Sequence, residues 1–97
     1  MPNNFNLSPL AESDLEDIWL YTFKAWSVAQ ADSYISDIIK ACDDLALDNK
    51  KGREIENMRA GYFKYAIGSH FIFYRYKASK LEIIRILHQR MDVERHL

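Results

Sequence analysis

Arginines and histidines in the C-terminal half carry the chemistry that this sequence could perform. Arg75, Arg85 and Arg90 could stabilise the charge of a phosphorane, and His88 or His96 could transfer protons. These are the groups that metal-free RNA cleavage requires. Basic strands that contain a histidine are common, however, so the pattern by itself favours a structural role for them.

The histidines, the single cysteine and the glycines give little support to metal or cofactor chemistry. His70, His88 and His96 lack the spacing of metal ligands, and Cys42 is the single cysteine. The sequence has neither a phosphate-binding loop nor a dinucleotide-binding glycine pattern. Cys42 falls on the apolar stripe of a predicted helix, which indicates a small core residue and not a nucleophile. We therefore expect no metal, no cofactor and no catalytic residue.

The composition predicts one packed domain that spans residues 1–97. Of the 97 residues, 48% are hydrophobic and 13% are aromatic, which excludes a disordered chain. A lone cysteine cannot form an internal disulfide, which suits a reducing cytoplasm. The sequence lacks both a secretory signal and an apolar run of the roughly 20 residues that span a bilayer. We expect a cytoplasmic protein without a membrane segment.

Charge divides the chain into two halves. Residues 1–49 hold two lysines and nine acids (2 − 9 = −7), whereas residues 50–97 hold eleven Lys and Arg and five acids (11 − 5 = +6). A basic second half attracts either nucleic acid or an acidic protein segment. The alternative is that the two halves neutralise each other when the chain folds.

The first half of the chain predicts a short strand followed by a helical hairpin. Phe5 and Leu7 alternate with polar residues, and Ser8-Pro9 can cap and open a helix. Apolar residues then recur at helical spacing as far as Trp26, which predicts a buried stripe. Ser27 can cap a second helix that runs to about Leu47, folded back on the first. A polar loop, Asp48 to Asn57, should follow.

The second half predicts a three-stranded antiparallel meander, so the fold class is α+β. Three runs rich in β-branched and aromatic residues are separated by Gly68-Ser69 and by the turn at residues 78–80. Regular alternation should place Ile83, Arg85 and Leu87 on one face of the last strand. One sheet face would pack on the helices. The other would leave an apolar patch with cationic edges, which is typical of a binding surface.

Three segments of the sequence resemble the RelE/ParE superfamily of type II toxin–antitoxin toxins. They read LEDIWLY at residues 15–21, GSHFIFYR at 68–75 and IRILHQRMD at 84–92. The last segment is most similar to the ParE branch, and the order of predicted elements agrees over essentially the whole chain. The resemblance implies a RelE/ParE-like fold.

The two branches of that superfamily imply different activities. RelE-like toxins are ribosome-dependent mRNA endonucleases, whereas ParE-like toxins inhibit DNA gyrase without chemistry of their own. Arg90 and His96 fall near two functional positions of the nucleases, but their mid-sheet arginine falls at Phe71 or Ile72. An apolar side chain there cannot stabilise a phosphorane, and Glu54 and Glu56 would repel RNA. This favours a ParE-like gyrase inhibitor over an RNase. A third possibility is a toxin fold that has lost toxicity.

The resemblance also implies two protein partners, DNA gyrase and a ParD-like antitoxin with which the toxin forms a hetero-oligomer. Neither a membrane nor direct sequence-specific binding of nucleic acid is expected. Family antitoxins fold on binding and lay a helix and an extended strand over the toxin. The residues expected to contact the antitoxin are Trp19, Tyr21, Arg59, Arg75 and Arg85. The residues expected to contact gyrase are Arg90, Asp92, Arg95, His96 and Leu97.

Overall fold

The computed structural model describes residues 4–55, 61–91 and 93–97, and only the backbone of residues 93 and 94. A short strand and a helical hairpin precede a meander, as predicted. The elements in chain order are β1 (Phe5–Leu7), α1 (Pro9–Ala25), α2 (Val28–Ala46), β2 (Arg53–Glu54), β3 (Tyr62–Ile67), β4 (His70–Lys77), β5 (Lys80–His88) and α3 (Val93–His96). The predicted α+β fold class is therefore confirmed.

Serine caps start both helices of the hairpin. Ser8 Oγ accepts a hydrogen bond from the backbone N–H of Ala11 at 3.0 Å, with Pro9 in the first turn. Ser27 Oγ accepts one from the N–H of Gln30, also at 3.0 Å. Ser8 in addition donates to the carbonyl oxygen of Ile84 at 2.6 Å, so the start of α1 is attached to β5. Both predicted caps are confirmed.

The sheet has five strands in the order β1-β5-β4-β3-β2. The meander β3-β4-β5 is antiparallel, as the short turns predict. β1 lies parallel to β5, with Phe5 opposite Leu81. The prediction of an uninterrupted loop from Asp48 to Asn57 is wrong, because β2 pairs with β3 inside it.

A β-bulge breaks the regular alternation of β5. Tyr74 is opposite Ile83, but Phe73 is opposite Arg85, so Ile84 is an extra residue. Ile83 and Ile86 consequently both join the core against the helices. The prediction that Ile83 shares a face with Arg85 and Leu87 throughout is wrong for this reason.

The core lies between the helical hairpin and one face of the sheet. Ile38 and Cys42 of α2 are fully buried against Ile72 of β4, as predicted for Cys42. Trp26 lies outside the core with 77% of its surface exposed, so the predicted buried stripe ends earlier, at Thr22. The physical reason is local, since α1 ends at Ala25 and the backbone of Trp26 leaves the helical conformation. Within the described part of the chain, every helix is too short or too polar to cross a membrane.

Candidate protein-binding site

A groove of about 690 Å³ opens where the helical hairpin meets the end of the sheet. We call it the hairpin groove and define it by six of its lining residues. These are Asp17, Tyr21, Trp26, Tyr34, His70 and His88. They come from α1, the α1–α2 turn, α2, β4 and β5, so the groove exists only when the hairpin has packed against the meander.

Exposed aromatic residues form the rim of the hairpin groove. Tyr21 is 74% exposed and Trp26 is 77% exposed, and Met91 adds an exposed apolar side chain. Tyr21 follows Asp17 by one helical turn, so the ring and the carboxylate share a face of α1. Large exposed aromatic residues around a concave surface are typical of protein-binding sites.

Tyr34 organises the floor of the groove through its hydroxyl group. Its Oη accepts a hydrogen bond from the N–H of Ser69 at 3.0 Å. It also lies 2.7 Å from Nδ1 of His70 and 3.3 Å from the carbonyl oxygen of Ile67. Burial raises the pKa of Tyr34, and the Ser69 N–H opposes that shift. The phenol therefore stays protonated and joins α2 to the β3–β4 turn.

Two histidines from neighbouring strands meet on the same floor. The rings of His70 and His88 pack edge to face with their centroids 5.3 Å apart. Burial lowers the pKa of His70, and His88 lowers it further, while Asp14 acts in the opposite direction. Nδ1 of His88 accepts the N–H of Arg90 at 3.1 Å. At neutral pH His70 is therefore uncharged.

The β5 bulge is what brings these histidines together. Between the β4–β5 turn and the pair Tyr74–Ile83, the two strands keep a regular register. If that register continued, His70 would lie opposite Leu87. The extra residue shifts the pairing by one, and His70 lies opposite His88 instead. Sequence reasoning missed the floor of the groove because bulges leave no clear signal in an alternating strand. The third residue of the floor, Tyr34, lies on α2 and not on the sheet.

The residues expected to contact an antitoxin are not brought together in one place. Tyr21 lies on the groove rim. Trp19 faces α2, donates from Nε1 to Asp32 at 2.8 Å and stacks on Phe23. Arg59 lies outside the described residues.

The two predicted sheet arginines already have partners within the chain. Arg75 donates from Nε to Glu82 at 2.8 Å and its guanidinium lies 5.7 Å from the ring centre of Tyr62. Arg85 binds Asp14 through Nε and Nη2, both at 2.8 Å. The charged hydrogen bonds to Glu82 and Asp14 raise the pKa of Arg75 and Arg85 respectively. An antitoxin carboxylate would have to share or displace these acids, and the assignment of both arginines stays a prediction.

The residues expected to contact gyrase lie in and around α3. Arg90, Arg95 and His96 are exposed, and Leu97 is half-buried, whereas Asp92 lies outside the described residues. The carbonyl oxygen of His96 accepts a hydrogen bond from Nη1 of Arg85 at 3.3 Å. The C-terminal segment is therefore attached to β5, which the sequence did not predict.

The described residues contain no group of three or more His, Cys, Asp or Glu that could hold a metal ion. The two imidazoles of the groove, His70 and His88, can donate or accept hydrogen bonds. Cys42 is fully buried, and burial raises the pKa of its thiol to about 12. Cys42 is therefore a core residue and does not line the groove.

Solved structures place this fold in a class. The chain superposes on a structure described as the chromosomal ParDE toxin–antitoxin system from P. aeruginosa with a TM-score of 0.73 and 18% identity, covering 87% of this chain and 95% of the other. It also resembles the toxin–antitoxin complex RelBE2 from Mycobacterium tuberculosis, with a TM-score of 0.54, 18% identity and coverage of 92% and 100%. At this identity the likeness shows the RelE/ParE-like fold.

Sequence comparison narrows the class to a family. The family described as "ParE toxin of type II toxin-antitoxin system, parDE" matches residues 5–93. Toxin ParE1 of Mycobacterium tuberculosis is 41% identical over 98 residues, covering all of both chains. Toxin ParE1 of Caulobacter vibrioides is 42% identical over 93 residues, covering 96% of each. The chain belongs to the ParE toxin family, as the ending IRILHQRMD predicted.

Proposed function

We propose that this ParE-family toxin inhibits DNA gyrase by protein–protein binding and is neutralised in the cytoplasm by a ParD-like antitoxin. The observation that carries the proposal is the family match across residues 5–93, which leaves only the extreme ends of the chain unmatched. The proposed activity is non-enzymatic, in contrast to that of the RelE-like nucleases.

The state of the sheet arginines supports binding over RNA cleavage. A nuclease needs cations that are available to the phosphorane. Arg85 is held by Asp14 and Arg75 by Glu82, each at 2.8 Å. The mid-sheet position that carries an arginine in the nucleases falls at Phe71 or Ile72, and Ile72 is fully buried.

The edge of the sheet supports an antitoxin that adds a strand. β2 pairs with only two residues of β3, Lys64 and Phe63. Among the described residues no strand pairs with the outer edge of Tyr65–Ile67. An extended antitoxin segment could hydrogen-bond there, and a helix that precedes or follows it could use the exposed side chain of Tyr21 as an anchor.

The C-terminal segment supports a gyrase contact. Arg90 and Arg95 present cationic side chains on the segment that Arg85 attaches to β5. Attachment reduces the ordering cost that a free tail would incur on binding. We propose that this segment, residues 90–97, is the gyrase-contacting surface.

The test is a DNA supercoiling assay with purified gyrase and increasing amounts of toxin. The double variant Arg90→Ala/Arg95→Ala should inhibit at least about tenfold less well than the unchanged toxin, since charged interface contacts are worth 2 kcal/mol or more when they are hot spots. Lys77→Ala/Lys80→Ala removes the same charge from the two exposed residues that flank the β4–β5 turn and should inhibit normally.

A parallel assay addresses the nuclease alternative. The same preparation is added to a translation reaction, and the messages are mapped for cuts. Codon-positioned cleavage, with supercoiling unaffected in the first assay, would overturn the proposal. The absence of both effects, with antitoxin binding retained, would show a toxin fold without toxicity.

A further inference from the structure

We propose that the hairpin groove is a binding site for an arginine or lysine side chain supplied by a protein partner. The proposed occupant is cationic, in contrast to the acidic antitoxin segment that the basic half of the chain suggests. The inference does not depend on gyrase inhibition, because it rests on Asp17, Tyr21 and Trp26 of the helical hairpin, which are not among the residues proposed to contact gyrase.

The charge of the groove favours a cation. Asp17 is among its lining residues, and neither Lys nor Arg is. Three other acids of the hairpin already have partners, since Asp14 binds Arg85, Asp32 accepts from Trp19 and Asp43 accepts from Asn4. The side chain of Asp17 makes no hydrogen bond or ion pair with any described residue. Its carboxylate is therefore available to an incoming guanidinium or ammonium group.

The aromatic rim suits the same ligand. The faces of tyrosine and tryptophan rings attract cations, and arginine stacks on them with its planar guanidinium. Tyr21 shares a helix face with Asp17, and Trp26 lines the groove at the end of α1. A basic side chain could thus meet a carboxylate and two aromatic faces in one groove. Nothing in the described chain covers either ring, since both are about three-quarters exposed.

The apolar part of the groove lining accepts an aliphatic stem. Ile18 and Met91 contribute apolar surface, against which the methylenes of arginine or lysine can pack. The ionisable groups that face the floor are Asp14 and Asp17 from α1, Tyr34 from α2, His70 from β4 and His88 from β5. Burial lowers the pKa of His70, so this ring does not repel a cation at neutral pH.

The wider field of the hairpin reinforces this preference. Residues 1–49 hold nine acids against Lys24 and Lys40. The summed negative potential raises the local concentration of basic ligands and increases their association rate. A partner with a basic segment is therefore steered towards the hairpin side of the molecule.

The test is an NMR titration of the purified toxin with N-acetylarginine amide. N-acetylcitrulline amide has the same shape without the charge, so it isolates the cationic contribution. The arginine probe should shift the indole N–H signal of Trp26 and the ring signals of Tyr21. It should bind about tenfold more tightly than the citrulline probe, which corresponds to 1.4 kcal/mol. Equal binding of the two probes, or stronger binding of N-acetylglutamate amide, would overturn the proposal.

A matched pair of variants locates the site. Asp17→Asn should weaken arginine binding by about tenfold, because it removes the carboxylate that the cation meets. Glu16→Gln makes the same charge change on the neighbouring residue, which is exposed and does not line the groove. This control should bind within about twofold of the unchanged toxin, since an exposed charge outside the groove is screened by water and salt. Equal losses in the two variants would reduce the effect to net charge and contradict a specific site.

Discussion

The guanidinium of Arg85 in β5 is joined to the carboxylate of Asp14 in α1 by two hydrogen bonds of 2.8 Å. Asp14 also accepts the backbone N–H of Ile86 at 2.9 Å. The two side chains are only 15% and 12% exposed, so water competes little with the pair. A contact between residues 71 positions apart thereby fixes α1 against the sheet.

Asp14→Asn should destabilise the toxin by about 2–4 kcal/mol, because it leaves a largely buried guanidinium without its counter-charge. The free energy of unfolding is measured by urea denaturation. Glu16→Gln, an exposed site on the same helix, should change it by less than about 0.5 kcal/mol. Equal effects of the two substitutions would show that the ion pair has no special role.

Gly68→Ala should cost about 2–3 kcal/mol for two separable reasons. The residue has φ +53°, and an added Cβ would lie 2.6 Å from the ring of Tyr34, whose hydroxyl is held in place by Ser69. Gly61 provides the control, since it has φ +83° and no atom near its Cβ position. Gly61→Ala should cost only about 1 kcal/mol, the conformational part of the effect. Thermal unfolding of the two variants separates steric from backbone strain.

Much of this fold could be predicted from local sequence signals. Ser8-Pro9 and Ser27 specify where the helices start, because their side chains cap the nearest free N–H groups. The short turns at Gly68 and Ala78 specify an antiparallel meander. Each of these features depends on residues within a few positions of one another.

The features that could not be predicted depend on residues far apart in the chain. The parallel pairing of β1 with β5, the Arg85–Asp14 pair and the bulge at Ile84 are all of this kind. The hairpin groove could not be predicted for the same reason, since the bulge is what brings His70 opposite His88 on its floor. Of the six residues that define the groove, only Tyr21 was predicted from the sequence to contact a partner.

The stability of the toxin should decrease between neutral and acid pH because of His70. Its pKa is lowered from the usual 6.5 in the folded state, mainly by burial, so the unfolded chain binds the proton more readily. The stabilisation is fully present above pH 6.5 and is lost as the pH falls through the folded-state value. Urea unfolding at successive pH values measures this. His70→Asn, which keeps an acceptor for Tyr34 but does not titrate, should show a smaller decrease.

Cys42 should not react with iodoacetamide at pH 8.5 until the protein unfolds, because burial raises the pKa of its thiol to about 12. The same shift predicts that stability decreases above the usual value of 9.0, as the unfolded thiol ionises and the folded one does not. The slope is about 1.4 kcal/mol per pH unit for one group. Comparison with Cys42→Ala isolates the contribution of the thiol to the pH dependence, since the tyrosines contribute equally in both proteins.

Ending the chain at Met91 should abolish gyrase inhibition and leave the fold intact. The truncation removes α3 and the hydrogen bond from Arg85 to His96, which is worth about 1 kcal/mol. Asp14 continues to hold Arg85. Circular dichroism and antitoxin pull-down report the fold, and the supercoiling assay reports inhibition. A truncated protein that inhibited gyrase fully would exclude residues 92–97 from the contact.

The pairing of Phe5 with Leu81 has a consequence for biosynthesis. β1 is the first strand to be translated. It cannot pair with β5 until β5, which ends at His88, has also been translated and has left the ribosome. The nascent toxin therefore cannot complete its sheet until the last of the five strands has been made.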